Sequence, residues 1–204
     1  MIITEEFLKK SLFKWNTYFE KEFKKEEIKN MFKKGNNINI FTGDYTKSSS
    51  FYISHSSMDN DLVYTLIGLF NKAKYSVYVD YVEDPQLNRS NVNRITAETL
   101  RNRMKACNGL AYISTTNIVT SKWCPWELGY MDSNKNGKCA ILPILKSSSN
   151  TFKGQEYLSL YPYIDYEKYK GKEEYEFWVN DPNDADKYVS LRKWLDGDKP
   201  YIHK

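Results

Sequence analysis

The sequence predicts an α/β fold with a central parallel sheet of about five strands and helices on both faces. Short, wholly apolar runs recur from residue 51 onward, and segments of helical length separate them. Strands that are apolar at every position are typical of parallel sheets covered on both faces. Regular alternation of such strands with helices is the pattern of α/β domains.

Four strands and three helices are predicted in the central region. The strands are residues 51–53, 75–79, 110–114 and 139–144. Asp59 or Asn60 can cap the first helix, whose apolar side comprises Leu62, Val63, Leu66, Ile67 and Phe70. The second helix carries Ile95, Leu100 and Met104, and the third begins near Ser121.

The pattern weakens beyond residue 146. We expect a fifth strand at residues 157–161 and a final helix at residues 185–195. No element is predicted for the tyrosine-rich segment 161–178.

The first part of the chain differs from the rest. Residues 4–34 carry an aromatic stripe at helical spacing, with Thr4 as a candidate N-cap and Gly35 as the stop. A polar linker follows, so we expect residues 1–48 to be a helical extension with its linker and residues 49–200 the main domain. The stripe can dock on the main domain or on a partner chain, and docking within the chain is favoured.

Composition excludes several classes of protein. A net charge of +4 spread along the chain gives little support for nucleic-acid binding. Two histidines and three cysteines without a CxxC pair make a metal site improbable. The chain opens without a signal peptide, and no apolar run approaches the ~20 residues that span a bilayer. We therefore expect a soluble, cytoplasmic protein that does not associate with membranes.

A ligand is expected at the carboxyl ends of the strands, where open parallel sheets bind their ligands. These ends carry Ser54, His55, Ser56 and Asp80, together with the segment Thr115-Thr116-Asn117. The third helix begins just beyond the last of these ends. Trp123 and Glu127 lie four residues apart there, so they share one helical face. Pro125 fits a first helical turn, which moves the expected helix start towards Cys124.

Each of these residues also has an ordinary structural explanation. His55 can cap the helix that follows it, and Asp80 can orient a loop. Glu127 can complement the helix dipole in the first turn. Cys124 is better explained as a buried structural thiol than as a nucleophile, because no histidine is near it in sequence.

Four segments together resemble the TIR (Toll/interleukin-1 receptor) domain, well over residues 49–145 and loosely over 146–200. They are Phe51-Tyr52-Ile53-Ser54-His55-Ser56-Ser57, Val77-Tyr78-Val79-Asp80, Tyr112-Ile113-Ser114 and Ser121-Lys122-Trp123-Cys124-Pro125-Trp126-Glu127-Leu128. The resemblance implies a flavodoxin-like sheet. It also implies one of two functions, namely cleavage of NAD+ at the nicotinamide–ribose bond or scaffolding by homotypic assembly.

For the enzymatic class, the resemblance implies that Glu127 is catalytic and that Trp123 is its aromatic partner. Ser54, His55, Ser56 and Asp80 would complete the substrate site, with NAD+ as substrate and no cofactor or metal. The loop from Tyr81 to Asn93 would gate the site and mediate homo-oligomerisation, although it has more Asn and Arg than many relatives. Lys, Asn, Ile and Tyr abundance suggests a low-GC bacterial protein, similar to Thoeris-type anti-phage proteins whose nucleotide product activates a downstream effector.

A single carboxylate suffices for this chemistry. Nicotinamide leaves NAD+ as a neutral molecule, so no general acid is needed, unlike ordinary glycoside hydrolysis. An ionised glutamate can stabilise the oxocarbenium-like ribose, and a first-turn position would favour that ionised form. The product is cyclic if an internal adenine or ribose group captures the cation, and linear if water does. Two alternatives stay open: a non-catalytic TIR scaffold, and a nucleoside deoxyribosyltransferase-like enzyme.

Overall fold

The computed structural model of the chain describes residues 2–11, 50–80, 93–147, 155–169 and 171–203. Its strands are β1 (Ile3–Thr4), β2 (Ser50–Ser54), β3 (Ser76–Tyr78), β4 (Leu110–Ser114), β5 (Cys139–Leu145), β6 (Tyr163–Lys168), β7 (Tyr175–Asn180), β8 (Lys187–Ser190) and β9 (Tyr201–Ile202). Its helices are α1 (Asn60–Lys72), α2 (Arg94–Ala106), α3 (Trp123–Asn134) and α4 (Leu191–Asp196).

Within the described residues, all nine strands belong to one sheet whose main order is β3-β2-β4-β5-β6-β7-β8-β9. The first five strands of this order run parallel, and β6 to β9 form an antiparallel meander. The predicted parallel sheet of about five strands is therefore confirmed. The meander is an addition that the apolar pattern did not predict.

The two faces of the sheet carry separate parts of the core. Because side chains alternate along a strand, odd-numbered residues of β2 and β4 face one side and even-numbered residues the other. Phe51 and Ile53 pack in a cluster with α1 and α4 residues, whereas Tyr52 and Tyr112 pack in a cluster with α2 and α3 residues. Helices thus cover both faces, as predicted, and Tyr52 and Tyr112 project towards α3.

Two predicted elements near the end of the chain are wrong. Residues 157–161 are not the fifth strand, because Glu156–Leu160 is a 3-10 helix in which only Leu158 is buried. The fifth parallel strand is β6, whose buried Ile164 and Tyr166 alternate with charged residues. That alternation belongs to a strand with one covered face, and it conceals the strand from a search for continuous apolar runs.

The predicted final helix at residues 185–195 is shorter and preceded by a strand. Residues Lys187–Ser190 form β8, and α4 begins directly afterwards with Ser190 as its N-cap. Val189, Leu191 and Trp194 are buried in one cluster. The apolar spacing of these residues arises from a strand followed directly by a helix, so the prediction of a single helix is wrong. The unassigned tyrosine-rich segment holds β6 and the first part of β7.

The beginning of the chain contributes to the sheet. Strand β1 pairs in parallel with β5, with Ile3 opposite Ile144. Thr4 caps the helical residues 5–11 through its Oγ1, which accepts the Phe7 N–H at 3.1 Å. Leu8 is fully buried, so this first segment docks within the chain. The rest of the predicted helical extension and linker, and the loop 81–92, lie outside the described residues.

In the part of the chain that the structure describes, no helix combines the length and apolar character needed to cross a bilayer.

Candidate active site

The start of α3 sets the position of Glu127. The helix begins at Trp123, and Ser121 Oγ accepts the Cys124 N–H at 3.2 Å. Pro125 lies in the first turn, where a missing N–H removes no helical hydrogen bond. Glu127 consequently lies beyond the first turn, which contains no acidic residue. The prediction that Glu127 lies in the first turn, where the helix dipole would favour its ionised form, is therefore wrong. Trp123 and Glu127 are one helical turn apart, as predicted.

Glu127 is fully buried, and hydroxyl groups of β2 bind both its carboxylate oxygens. The Tyr52 hydroxyl donates to Glu127 Oε1 at 2.9 Å. The Ser54 hydroxyl donates to Glu127 Oε2 at 2.6 Å. Both donors project from the same face of β2 because they are two residues apart. Hydrogen bonds from hydroxyls to a carboxylate are among the stronger neutral-to-charged contacts.

Tyr112 of β4 completes the surroundings of this carboxylate. It lies opposite Ser54 in the pairing of β2 with β4. Its pKa is raised, first by burial and then by the neighbouring Tyr157, Cys124 and Glu127. The phenol therefore stays protonated across the physiological range and can serve only as a neutral group beside Glu127.

A second buried carboxylate connects the loops that follow β2 and β4. Asp59 is 2% exposed, and its two oxygens accept hydrogen bonds from Thr115 Oγ1 and Asn117 Nδ2, both at 2.6 Å. Asp59 flanks α1 as predicted, but its side chain makes no capping bond. It instead fixes the relative position of the two loops beside the switch point of the sheet, where the strand order reverses between β2 and β4.

The remaining predicted site residues lie around the same edge. His55 is buried, with Nε2 3.2 Å from Asn60 Oδ1, and its carbonyl oxygen accepts from the Cys124 thiol at 3.1 Å. Ser56 caps the 3-10 turn that precedes α1. Asp80 is buried at the end of a described segment, next to residues 81–92.

Trp123 belongs to an aromatic row along α3. Its ring lies edge-on to Trp126 with centroids 5.4 Å apart, and Trp126 stacks on Tyr130 at 5.8 Å. The guanidinium of Arg101 lies 5.4 Å from the centre of the Trp126 ring. Trp123 is only partly buried.

The chain was also compared with known proteins. Residues 51–178 match the family model described as TIR domain. The chain belongs to the TIR family. The family predicted from the strand-end motifs is confirmed. So is the flavodoxin-like order, since β3-β2-β4-β5-β6 is the 2-1-3-4-5 order of that fold when the strands are counted from β2.

Two curated relatives of this TIR domain carry names that describe nucleotide chemistry. A protein of Bacillus cereus (strain MSX-D12), named as a probable 3' cyclic ADP-D-ribose synthase, ThsB', is 42% identical over 153 residues. That alignment covers 74% of this chain and 78% of the relative. A Cytobacillus dafuensis protein, named as a provisional cyclic ADP-D-ribose synthase, TIR2, is 32% identical over 80 residues, which are 39% of this chain and 21% of that relative.

Sequence reasoning on the TIR domain missed three residues of this edge. They are Tyr52, Asp59 and Tyr112, all buried and all bound to or beside a group of the site. Alternation along β2 was the available signal for Tyr52, because it shares its face with Ser54. Asp59 and Tyr112 have no comparable local signal, since their neighbours are distant in sequence.

Replacing Asp59 with alanine is expected to destabilise the TIR domain by about 2–4 kcal/mol, because two partly buried donors lose a buried, charged acceptor. Chemical denaturation measures this change in the free energy of unfolding. Asp61, an exposed residue of α1, is the matched control, and Asp61→Ala should change stability by less than about 0.5 kcal/mol. Equal losses for the two variants would contradict a structural role for Asp59.

The three cysteines of the TIR protein are expected to react slowly in the native state. All three are buried thiols, and burial raises the pKa of Cys107 to about 12 and also raises the pKa of Cys139. Cys124 is fully buried and hydrogen-bonded to His55. Since the thiolate is the reactive form, thiol reagents at pH 8 should modify the native protein at least about a hundredfold more slowly than the unfolded one. Rapid modification of one thiol in the native protein would instead support a nucleophilic cysteine.

Proposed function

We propose that this TIR domain cleaves NAD+ at the nicotinamide–ribose bond, with Glu127 as the catalytic carboxylate. The observation that carries the proposal is the position of Glu127. It lies beside the carboxyl ends of β2 and β4, with both oxygens bound by hydroxyls of β2. Open α/β sheets bind ligands at this switch point. The names of both relatives support a nucleotide substrate of this class.

Glu127 acts on the charge that develops when the bond between ribose C1' and the nicotinamide nitrogen breaks. The bonding electrons stay with nicotinamide, which departs neutral, and the ribose acquires oxocarbenium character. A nearby carboxylate stabilises that positive charge and can accept hydrogen bonds from the ribose hydroxyls. No proton donor to the leaving group is required. Ser54, His55, Ser56, Asp80 and Trp123 are the proposed substrate contacts, without a further cofactor.

The proposed product is a cyclic ADP-ribose. Either a hydroxyl of the same substrate attacks C1' and passes its proton to solvent, or an adenine ring nitrogen attacks through its lone pair and takes over the positive charge. The name of the Bacillus cereus relative specifies a 3' cyclic product, which supports capture by a ribose hydroxyl. Exclusion of water from the buried Glu127 edge favours this outcome over hydrolysis to linear ADP-ribose.

The proposed biological setting is bacterial anti-phage defence of the Thoeris kind. In it the cyclic product activates a downstream effector, and TIR–TIR contacts assemble the enzyme. We assign residues 49–200 to the TIR domain and residues 1–48 to an extension and linker.

Incubation of the purified protein with NAD+ tests this function. Release of nicotinamide is followed by chromatography, and mass spectrometry distinguishes a cyclic product from ADP-ribose because the cyclic one is lighter by one water. The assay is run over a range of protein concentrations and with lysate from phage-infected cells. Absence of nicotinamide under all these conditions would overturn the enzymatic proposal and favour a scaffold.

A further inference from the structure

The two hydroxyl groups that bind Glu127 differ in how firmly their own positions are fixed. Tyr52 lies inside β2, where its N–H donates to the Gly109 carbonyl at 2.9 Å and its ring stacks on Tyr78 with centroids 5.2 Å apart. It is 1% exposed. The phenol oxygen lies in the plane of this packed ring, so it cannot leave Glu127 Oε1 without moving the ring.

Ser54 is the last residue of β2 and its side chain is short. Rotation about its Cα–Cβ bond carries the hydroxyl between staggered positions and needs no change in the backbone. Its partner, Glu127 Oε2, is bound on the side where the strand ends. This is also the side from which a ligand approaches an open α/β sheet.

Each carboxylate oxygen has two lone pairs, so Oε1 and Oε2 each keep one acceptor site beside their present donor. A substrate hydroxyl must still reach one of these oxygens past the groups that enclose the carboxylate. Glu127 is fully buried, so the free protein presents neither oxygen to solvent. Exchanging the serine hydroxyl for a ribose hydroxyl keeps the number of hydrogen bonds to Oε2 unchanged. Exchanging the tyrosine hydroxyl would leave a buried phenol without its acceptor, which is costly.

We infer that Tyr52 is a positioning residue that stays on Glu127 Oε1 throughout the reaction, whereas Ser54 occupies Oε2 only until a ribose hydroxyl of the substrate replaces it. This inference rests on the proposed function and extends it, because it assigns different roles to the two donors. Tyr52 keeps the carboxylate aimed at the reacting ribose. Ser54 keeps the buried carboxylate hydrogen-bonded in the absence of substrate.

Steady-state kinetics with NAD+ for the Tyr52→Phe and Ser54→Ala variants test the inference. Loss of the fixed donor lets the Glu127 carboxylate rotate, so Tyr52→Phe should lower kcat about tenfold or more with KM within about twofold of wild type. Ser54→Ala removes the hydroxyl that binds Oε2 in the free protein and that contacts the substrate after the exchange. Its effect should therefore fall on KM, which should change by about threefold or more, while its kcat should fall much less than that of Tyr52→Phe.

Tyr75→Phe is the matched control for Tyr52→Phe. The Tyr75 hydroxyl donates to Glu176 Oε1 at 3.0 Å, and Tyr75 is also buried, in the cluster on the opposite face of the sheet. The control therefore loses the same kind of hydrogen bond away from Glu127, and its kcat and KM should match wild type. Thermal unfolding of all three variants shows whether each is folded at the assay temperature.

Three outcomes would count against these assignments. An active wild type whose folded Tyr52→Phe variant keeps its kcat overturns the role of Tyr52. A Ser54→Ala variant that loses as much kcat as Tyr52→Phe overturns the exchange at Oε2. A wild type that releases no nicotinamide overturns the proposed function, and with it this inference.

Discussion

Replacement of Glu127 with glutamine is expected to lower nicotinamide release from NAD+ by at least about a hundredfold, the usual cost of removing one aimed electrostatic group from an active site. Glutamine has nearly the same shape as glutamate, so the packing at the start of α3 should be retained. What disappears is the negative charge opposite the developing oxocarbenium. One of the two oxygens also becomes an NH2 group, which cannot accept from Tyr52 or Ser54.

Glu176→Gln provides the matched control for this experiment. Glu176 is partly buried and accepts a hydrogen bond from a buried tyrosine, as Glu127 does, but its partner is Tyr75. A neutral glutamine there removes a charge of the same kind away from the candidate site, so activity should be unchanged. Full activity in Glu127→Gln, alongside an active wild type, would remove Glu127 from the mechanism. A comparable loss in both variants would point to a general loss of folded protein.

Replacement of Phe70 with alanine is expected to destabilise the protein by about 3–5 kcal/mol, the range for truncating a large buried aromatic side chain. Phe70 of α1 is fully buried. Its ring lies edge-on to Phe51 of β2 with centroids 4.7 Å apart and stacks on Phe177 of β7 at 4.1 Å. The alanine substitution would therefore leave a cavity in the part of the core that the parallel strands share with the antiparallel meander.

Denaturant unfolding measures the loss in Phe70→Ala, and two further variants calibrate it. Phe70→Leu keeps most of the buried volume and should lose less than the alanine variant. Leu160→Ala removes a side chain that is 77% exposed and should change stability by less than about 0.5 kcal/mol. Because Phe70 and Glu127 lie on opposite faces of the sheet, the folded fraction of Phe70→Ala should retain its activity. A loss below about 1 kcal/mol would contradict this account of the core.

The central strands could be predicted from sequence because their apolar runs depend only on local composition. Strand β4 was predicted with its observed bounds, and β5 differs by one residue at its end. Strand β6 could not be predicted in this way, because its buried residues alternate with charged ones. Ile164 and Tyr166 are buried, whereas Glu167 is exposed. Local apolar pattern identifies strands covered on both faces and misses those covered on one.

The candidate site was predictable only for residues at the end of a predicted strand or in the helix that follows one. Ser54 and Glu127 were both predicted at the same edge, and the structure brings them within hydrogen-bonding distance. The bond between Tyr52 and Glu127 joins residues 75 positions apart, and a tyrosine in an apolar run is ordinarily explained as core. Such a contact depends on which face of β2 meets α3, and that is a property of the folded sheet.

The pairing of β1 with β5 has a consequence for the order of events during synthesis. Ile3 is synthesised well before its partner Ile144, which emerges only after α1, α2 and α3 have been translated. The residues of β1 therefore have no strand partner until β5 has been synthesised. Contacts between such distant residues form slowly because closing a long loop costs entropy. Completion of the sheet next to β5 is thus a late step in folding, well after β2, β3 and β4 can associate.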